Sequence, residues 1–430
     1  MLPRLLGALS LAAVASLAWL PVIAAYAACL VAALLLASAI ALRRGPPAWL
    51  AFALGVAAML ANTRLMASAD TLGAVPLGMS MLRERRLTVD SLAPHHAEGR
   101  TDLIPHRGRF ASKYPLVTPL LATPVLLPAA ISGAKLDAPL ANALQKLAAA
   151  VLAAAALALT VAAMPGHKFA AAAVLLFGTA FLPILGQALW SHTGAALCLA
   201  AGLAALVRMA PGAPRAAAVG LCAGLSVATR PQDALLALGL LVALAVEDRR
   251  AIPAALAAAA LPVLGVLAYQ AAMFGHPLAT GYAGEARHGW RSEGAAASLA
   301  GLLVSPGRGL LLYSPVLAPA LLGLFRVRAA LAAAVVAQIA LLSFWHAWDG
   351  GFSAGPRMLS AALPFLGLGL AEAVRFVSPW IVGPLAALSI AANALLAYAV
   401  FPPAPRALVF DLREGPWSPL AHPFVALFKR

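Results

Sequence analysis

Along most of this chain apolar residues run on with no polar face between them, and the exceptions are short. Apolar stretches near residues 5–24, 26–42 and 47–66 lead into a polar stretch, Ser68 to Tyr114, and a long series of further apolar runs follows. Those runs fall near 139–164, 169–186, 192–208, 215–229, 232–246, 251–273, 309–325, 329–345, 358–374 and 379–400. A helix needs roughly 20 apolar residues to cross the hydrocarbon core of a bilayer. Every backbone N–H and C=O in lipid must be satisfied internally, which leaves helices as the spanning element here. The in–out alternation over ~10 residues that marks an outer-membrane barrel is absent. The pattern therefore predicts an all-α, polytopic integral membrane protein with about thirteen transmembrane helices.

Two stretches need separate treatment. The N-terminus, with Arg4, an apolar run and small residues near Ala27, has the outline of a signal peptide. The run continues to Leu42, past where a cleaved signal stops, so two uncleaved helices are expected. Pro115 to Gly133 carries four prolines. Proline removes a backbone donor and kinks a helix, so a proline-broken interfacial or re-entrant element is expected there. With it outside the count, the short basic loops (Arg43-Arg44, His167-Lys168, Arg208 to Arg215, Glu247 to Arg250, Arg326 to Arg328, Arg375) all fall on the cytoplasmic side. The longer loops and the tail, Phe401 to Arg430, then lie outside. One transmembrane domain, 1–430, results: N-terminal spans 1–67, outer loop 68–114, proline-rich element 115–133, helical bundle 139–400 and tail 401–430.

Composition narrows the class. Hydrophobic residues make up 63% of the 430 and charged residues 10%, with mean hydropathy +0.91, so the solvent of this fold is lipid. The net charge of +15 would suggest nucleic acid in a soluble chain. Here the positive-inside bias accounts for part of it, and no nucleic-acid partner is implied. Cys29, Cys198 and Cys222 are isolated in apolar runs and imply neither a disulfide nor a metal framework.

The first outer loop holds five of the fifteen carboxylates (Asp70, Glu84, Asp90, Glu98, Asp102) and seven basic residues. Within it Leu72, Val75, Met79 and Leu82 recur at helical spacing before the cluster Arg83 to Arg86, which predicts a short amphipathic helix in the headgroup plane. Four further polar clusters share the outer face: Gln187 to His192, Thr229 to Asp233, Phe274 to Tyr313 and Trp345 to Arg357. Charges near lipid are expensive and are usually kept for function, so this convergence marks a candidate site.

Asp70, just beyond a helix end, suits a general base for a hydroxyl acceptor; the competing reading is an N-cap for a helix beginning near Thr71. Arg230, Arg308 and Arg357 sit in Gly/Pro-rich turns, and guanidinium forks bind phosphate. Ion pairs of Arg230 with Asp233 and of Arg357 with Asp349 compete with that role. Lys113, Tyr114 and Tyr282 complete the candidate phosphate and substrate set. Trp190, His192, Trp345, His346, Trp348 and Asp349 are candidates for a sugar platform, against an interfacial belt. His95-His96 with Asp90 and Asp102 could hold a divalent metal, although no HExxH-type spacing is present.

In order, the chain reads SADT, GRFASKYPLVTPLLATP, QALWSH, ATRPQD, FGHPLATGY, SPGRGLLLYSP and WDGGFSAGPRMLSAALPF. This series, from about Ser68 to Leu366, resembles the polytopic GT-C glycosyltransferases, such as the dolichyl-phosphate-mannose mannosyltransferases and aminoarabinose transferases. The resemblance implies a catalytic acid in the first outer loop, matched here by Asp70, and a polyprenyl-phosphate sugar donor used on the periplasmic side of the bacterial inner membrane. The acceptor would be a glycan, lipid or protein hydroxyl. Two departures stand out: threonine follows Asp70 where members often pair two acids, and two helices precede the span leading to Asp70 where one is usual. A lipid-linked-sugar flippase and a non-catalytic relative are the alternatives.

Overall fold

The computed structural model describes residues 46–61, 65, 68–89, 103–106, 109–165, 168–281, 289–351, 353, 355–398 and 416–418. The expected spans 5–24 and 26–42, the His95-His96 cluster, Tyr282 and most of the tail lie outside the described residues. Pro46–Ala61 forms α1, and after a one-turn helix, Ala69–Leu72, α2 follows over Ala74–Arg83. An antiparallel hairpin, β1 Leu103–His106 with β2 Arg109–Ser112, lies near the end of the 68–114 stretch. This hairpin was not expected: Pro105 argues against a strand, and it is accommodated because among the described residues the pair has no third strand to serve.

The remaining helices are α3 (Val117–Ile131), α4 (Ala138–Ala163), α5 (Lys168–Phe177), α6 (Ser191–Arg208), α7 (Ala213–Thr229) and α8 (Ala234–Glu247). They continue with α9 (Ile252–Phe274), α10 (Ala295–Val304), α11 (Leu317–Val327), α12 (Ala329–Ser343), α13 (Leu363–Phe376) and α14 (Pro379–Tyr398). Among the described residues five helical runs are long and apolar enough to cross a membrane: 138–163, 191–208, 249–274, 357–376 and 379–397. Two expected spans are divided. The run 169–186 stops at Phe177 and resumes as a π-turn, Phe181–Leu185, around Gly178 and Pro183. The run 309–325 is a single turn, Leu310–Tyr313, then α11, with Ser314-Pro315 between.

The prolines do not break α3, contrary to the expectation. Pro124 deprives the Leu120 carbonyl of its usual donor, and the Thr123 hydroxyl fills that place at 2.7 Å. At 15 residues α3 is about 22 Å long, short of a full crossing. The face of α2 carrying Val75 and Met79 packs on α3 at Ala122 and Leu126, so protein rather than headgroups covers it, and Leu72 lies exposed on the preceding turn. Arg83, at the end of α2, donates to the carbonyls of Ala129 (2.6 Å) and Ala134 (2.7 Å), where α3 ends and leaves acceptors unpaired.

Small residues let the bundle close. A side chain on Gly220 or Gly224 of α7 would strike the backbone of Ala255 or Ala259 on α9. Gly323 of α11 and Gly369 of α13 meet backbone to backbone in the same way. Glu247 at the end of α8 pairs with Arg215 of α7 (2.7 Å) and with Arg328 between α11 and α12. The core is centred on Trp190, Phe181, Tyr313 and Phe365, with one ion among them: Lys146 of α4 is fully buried and donates to Gln187 at 2.5 Å.

Candidate active site

Asp70 is the second residue of the one-turn helix, and the cap of that helix is Ser68, whose Oγ accepts from the Asp70 N–H at 3.2 Å. The N-cap reading of Asp70 therefore falls away, and its carboxylate is left for tertiary partners. Tyr114 donates its hydroxyl to Oδ1 at 2.8 Å, and Arg357 donates Nη1 to Oδ2 at 2.8 Å. The β-hairpin makes the first contact by ending at Ser112, whose Oγ accepts from the Tyr114 N–H in the following turn. The second bridges 287 residues of sequence and joins the 68–114 stretch to the glycine-rich turn before Arg357.

Arg357 is held from three sides. Its Nη2 donates to the Gly350 carbonyl, in a turn where Gly350 and Gly351 take positive φ (74° and 59°) that other residues rarely adopt. Its guanidinium lies 4.3 Å from the ring centre of Trp190, a cation–π contact on a buried indole. The Arg357 side chain is 7% exposed against 37% for Asp70, so the carboxylate faces solvent and the guanidinium stands behind it.

These residues border a cavity of about 710 Å³, within the usual range for ligand sites. Asp70, Lys113, Tyr114, His192, Arg230, Trp345 and Arg357, all expected from the sequence, line it together. Sequence reasoning missed the wall supplied by α9 (Val266, Tyr269, Gln270, Phe274) and Trp290. An unbroken apolar run such as α9 hides its one tyrosine and one glutamine among aliphatic neighbours. Lys146 was also missed, although a lone lysine in an apolar run is the signal for it.

Other expectations are corrected. Arg308 does not reach the cavity lining; it donates to the carbonyls of Asp349 (2.6 Å), Gly307 (2.9 Å) and Gly351 (2.9 Å) and so braces the glycine turn. Trp190 lies beneath Arg357 and offers no face to a sugar. Among the described residues Asp349 pairs with no arginine side chain; it accepts from the Gly351 N–H at 3.2 Å, and Arg357 is taken by Asp70 instead. His346 and Trp348 line a separate, smaller cavity, with Trp345 common to both. The Arg230–Asp233 pair does form, at 3.1 Å, with both side chains buried.

Several polar atoms on the cavity wall are buried without a protein partner among the described residues: both ring nitrogens of His192, the Tyr269 hydroxyl and Nε of Arg357. Buried donors and acceptors left this way are costly unless a ligand or water meets them. The set is mostly donors, as an anion or a polyhydroxylated ligand requires. A divalent metal is a poorer fit. Such ions take several oxygen ligands, whereas Asp70 is the one carboxylate among the described lining residues and Arg357 already occupies it. Among the described residues no group of three His, Cys, Asp or Glu gathers as a metal site.

No protein-family profile matches the chain, and no curated protein sequence does. A solved structure does match: ArnT from Cupriavidus metallidurans, bound to undecaprenyl phosphate, superposes with a TM-score of 0.53 at 13% identity. The match covers 88% of this chain and 74% of ArnT. The chain therefore shares the fold of that solved structure.

Proposed function

We propose that this protein is an inverting membrane glycosyltransferase that moves a sugar from a polyprenyl-phosphate donor to a hydroxyl acceptor on the periplasmic face of the inner membrane. The observation that carries the reading is Asp70 held by Tyr114 and Arg357 at the border of a 710 Å³ cavity. Asp70 takes the proton of the acceptor hydroxyl, whose oxygen attacks C1 of the donor sugar. The C1–O bond to phosphate breaks with its electron pair, and polyprenyl phosphate leaves. A carboxylate has about four lone-pair sites, and two are engaged here, so an acceptor O–H can still be received.

Negative charge concentrates on the leaving phosphate as the bond breaks. Cations already fixed at that place stabilise the transition state more than the ground state. Nε of Arg357, Arg230 and Lys113 supply them, and the apolar wall Val266, Phe274 and Leu341 suits the first isoprene units. His192 and Tyr269 meet the sugar hydroxyls.

The test is release of polyprenyl phosphate from a polyprenyl-phosphate sugar by purified protein in nanodiscs. Asp70→Asn keeps the size and the Tyr114 contact but removes the base, and the rate should fall by at least about 10²-fold with the protein still folded. Full activity in that variant would end the assignment.

A further inference from the structure

Beside the main cavity lies a second chamber of about 390 Å³, bordered by Trp345, Trp348, Trp417, Arg291, Glu293 and Ser298 among others. We propose that it is a saccharide-binding subsite that holds the glycan part of the acceptor. Calling its ligand the acceptor rests on the glycosyl-transfer reading above; the saccharide chemistry of the chamber does not.

The first observation is the wall. Trp345 borders both chambers, and Trp290, which lines the main cavity, forms an antiparallel bridge with it, their rings 5.1 Å apart. A chain of sugars can therefore rest one unit in each chamber across a single pair of indoles. Four of the eight tryptophans of the sequence (Trp290, Trp345, Trp348, Trp417) collect at this place. A membrane-interface belt would turn them outward to headgroups. Trp380 stands 89% exposed, whereas Trp345 and Trp348 are half-buried, and Trp290 and Trp417, 49% and 48% exposed, keep about half their surface against them. Gly301 of α10 leaves room for the Trp348 ring, which a Cβ there would strike. Pro416 accepts from the Gly307 N–H at 3.0 Å and so pins the segment carrying Trp417, 6.4 Å from Trp348.

The second observation is the polar complement. A pyranose shows apolar C–H faces and a rim of hydroxyls, which asks for aromatic plates with a few donors and acceptors at their edges. Arg291, Glu293, Ser298 and His346 provide that rim. Among the described lining residues one guanidinium, Arg291, is matched by one carboxylate, Glu293, which disfavours phosphate here. The main cavity, with Arg230, Arg357 and Lys113 against Asp70 on its lining, is where an anionic donor belongs.

The experiment measures binding of a panel of di-, tri- and tetrasaccharides of neutral hexoses and N-acetylhexosamines to the full chain in nanodiscs. At least one should bind. Trp417→Ala, at an exposed position, and Ser298→Trp, which fills the chamber, should each weaken binding about tenfold or more. A short isoprenyl phosphate should not compete. With that saccharide as acceptor, Trp417→Ala should raise its KM and leave kcat nearly unaltered. No binding, equal binding by the two variants, or displacement by the isoprenyl phosphate would overturn the subsite. Full transfer by Asp70→Asn together with lost binding in Trp417→Ala would remove the catalytic assignment and leave the subsite standing.

Discussion

Arg357 combines an ion pair with Asp70, a hydrogen bond to Gly350 and a face-on contact with Trp190, and only a planar fork can make all three at once. Arg357→Lys keeps the charge but loses the second hydrogen bond and the stacking. We expect kcat to drop by about 10²–10³, the scale seen when one fixed donor to a developing anion is removed; steady-state release of polyprenyl phosphate measures it. At this scale the sequence disclosed residue types and turns but not partners. Asp70 and Arg357 were legible because a charge beside an apolar run demands a reason. The bracing by Arg308 and the burial of Trp190 were not, because each depends on which carbonyl or cation the folded chain brings within reach.

Helices were the most legible elements, since long apolar runs admit one backbone solution in lipid. The misreadings have local causes. Pro119 lies in the first turn of α3, Pro124 and Pro128 lie four apart, and a threonine hydroxyl replaces a missing donor, so a segment that reads as broken is continuous. The hairpin β1–β2 is too short and too polar for a period of two to show, yet it sets the turn that aims Tyr114 at Asp70. The contact of α7 with α9 links packing to the site, because α9 carries Tyr269, Gln270 and Phe274 on the cavity wall. Gly224→Leu would wedge the two helices apart at Ala259. Overpacking of this kind costs about 1–3 kcal/mol or more. We expect a lower thermal midpoint and a raised KM for the lipid donor, whereas a leucine at Gly265 of the same α9, which a side chain meets nothing near, should leave both unchanged.

For the whole molecule the decisive property is sidedness, because polar islands far apart in sequence must share one face for any of this chemistry to occur. The structure brings Asp70, Tyr114, His192, Arg230 and Arg357 to one cavity. The helices between them end in charged turns, where Glu247 ties α7, α8 and the α11–α12 turn together through Arg215 and Arg328. The proposed sidedness puts an odd number of crossings between Asp233 and Glu247, and α8 alone lies between. At 14 residues α8 is about 21 Å long, shorter than the ~30 Å hydrocarbon core, so the cavity mouth or the Glu247 turn dips below the headgroups unless the bilayer thins there. A recessed cavity suits a donor whose phosphate sits at the membrane surface and whose tail stays in lipid. Single cysteines at Leu72, Gly351 and Arg250, all exposed, test this in a background with Cys29, Cys198 and Cys222 replaced by alanine. A membrane-impermeant maleimide added to intact cells should label the first two and spare the third until the membrane is opened. Labelling of Leu72→Cys and Gly351→Cys from opposite sides would contradict the Asp70–Arg357 pair itself, since those two positions flank the residues that form it.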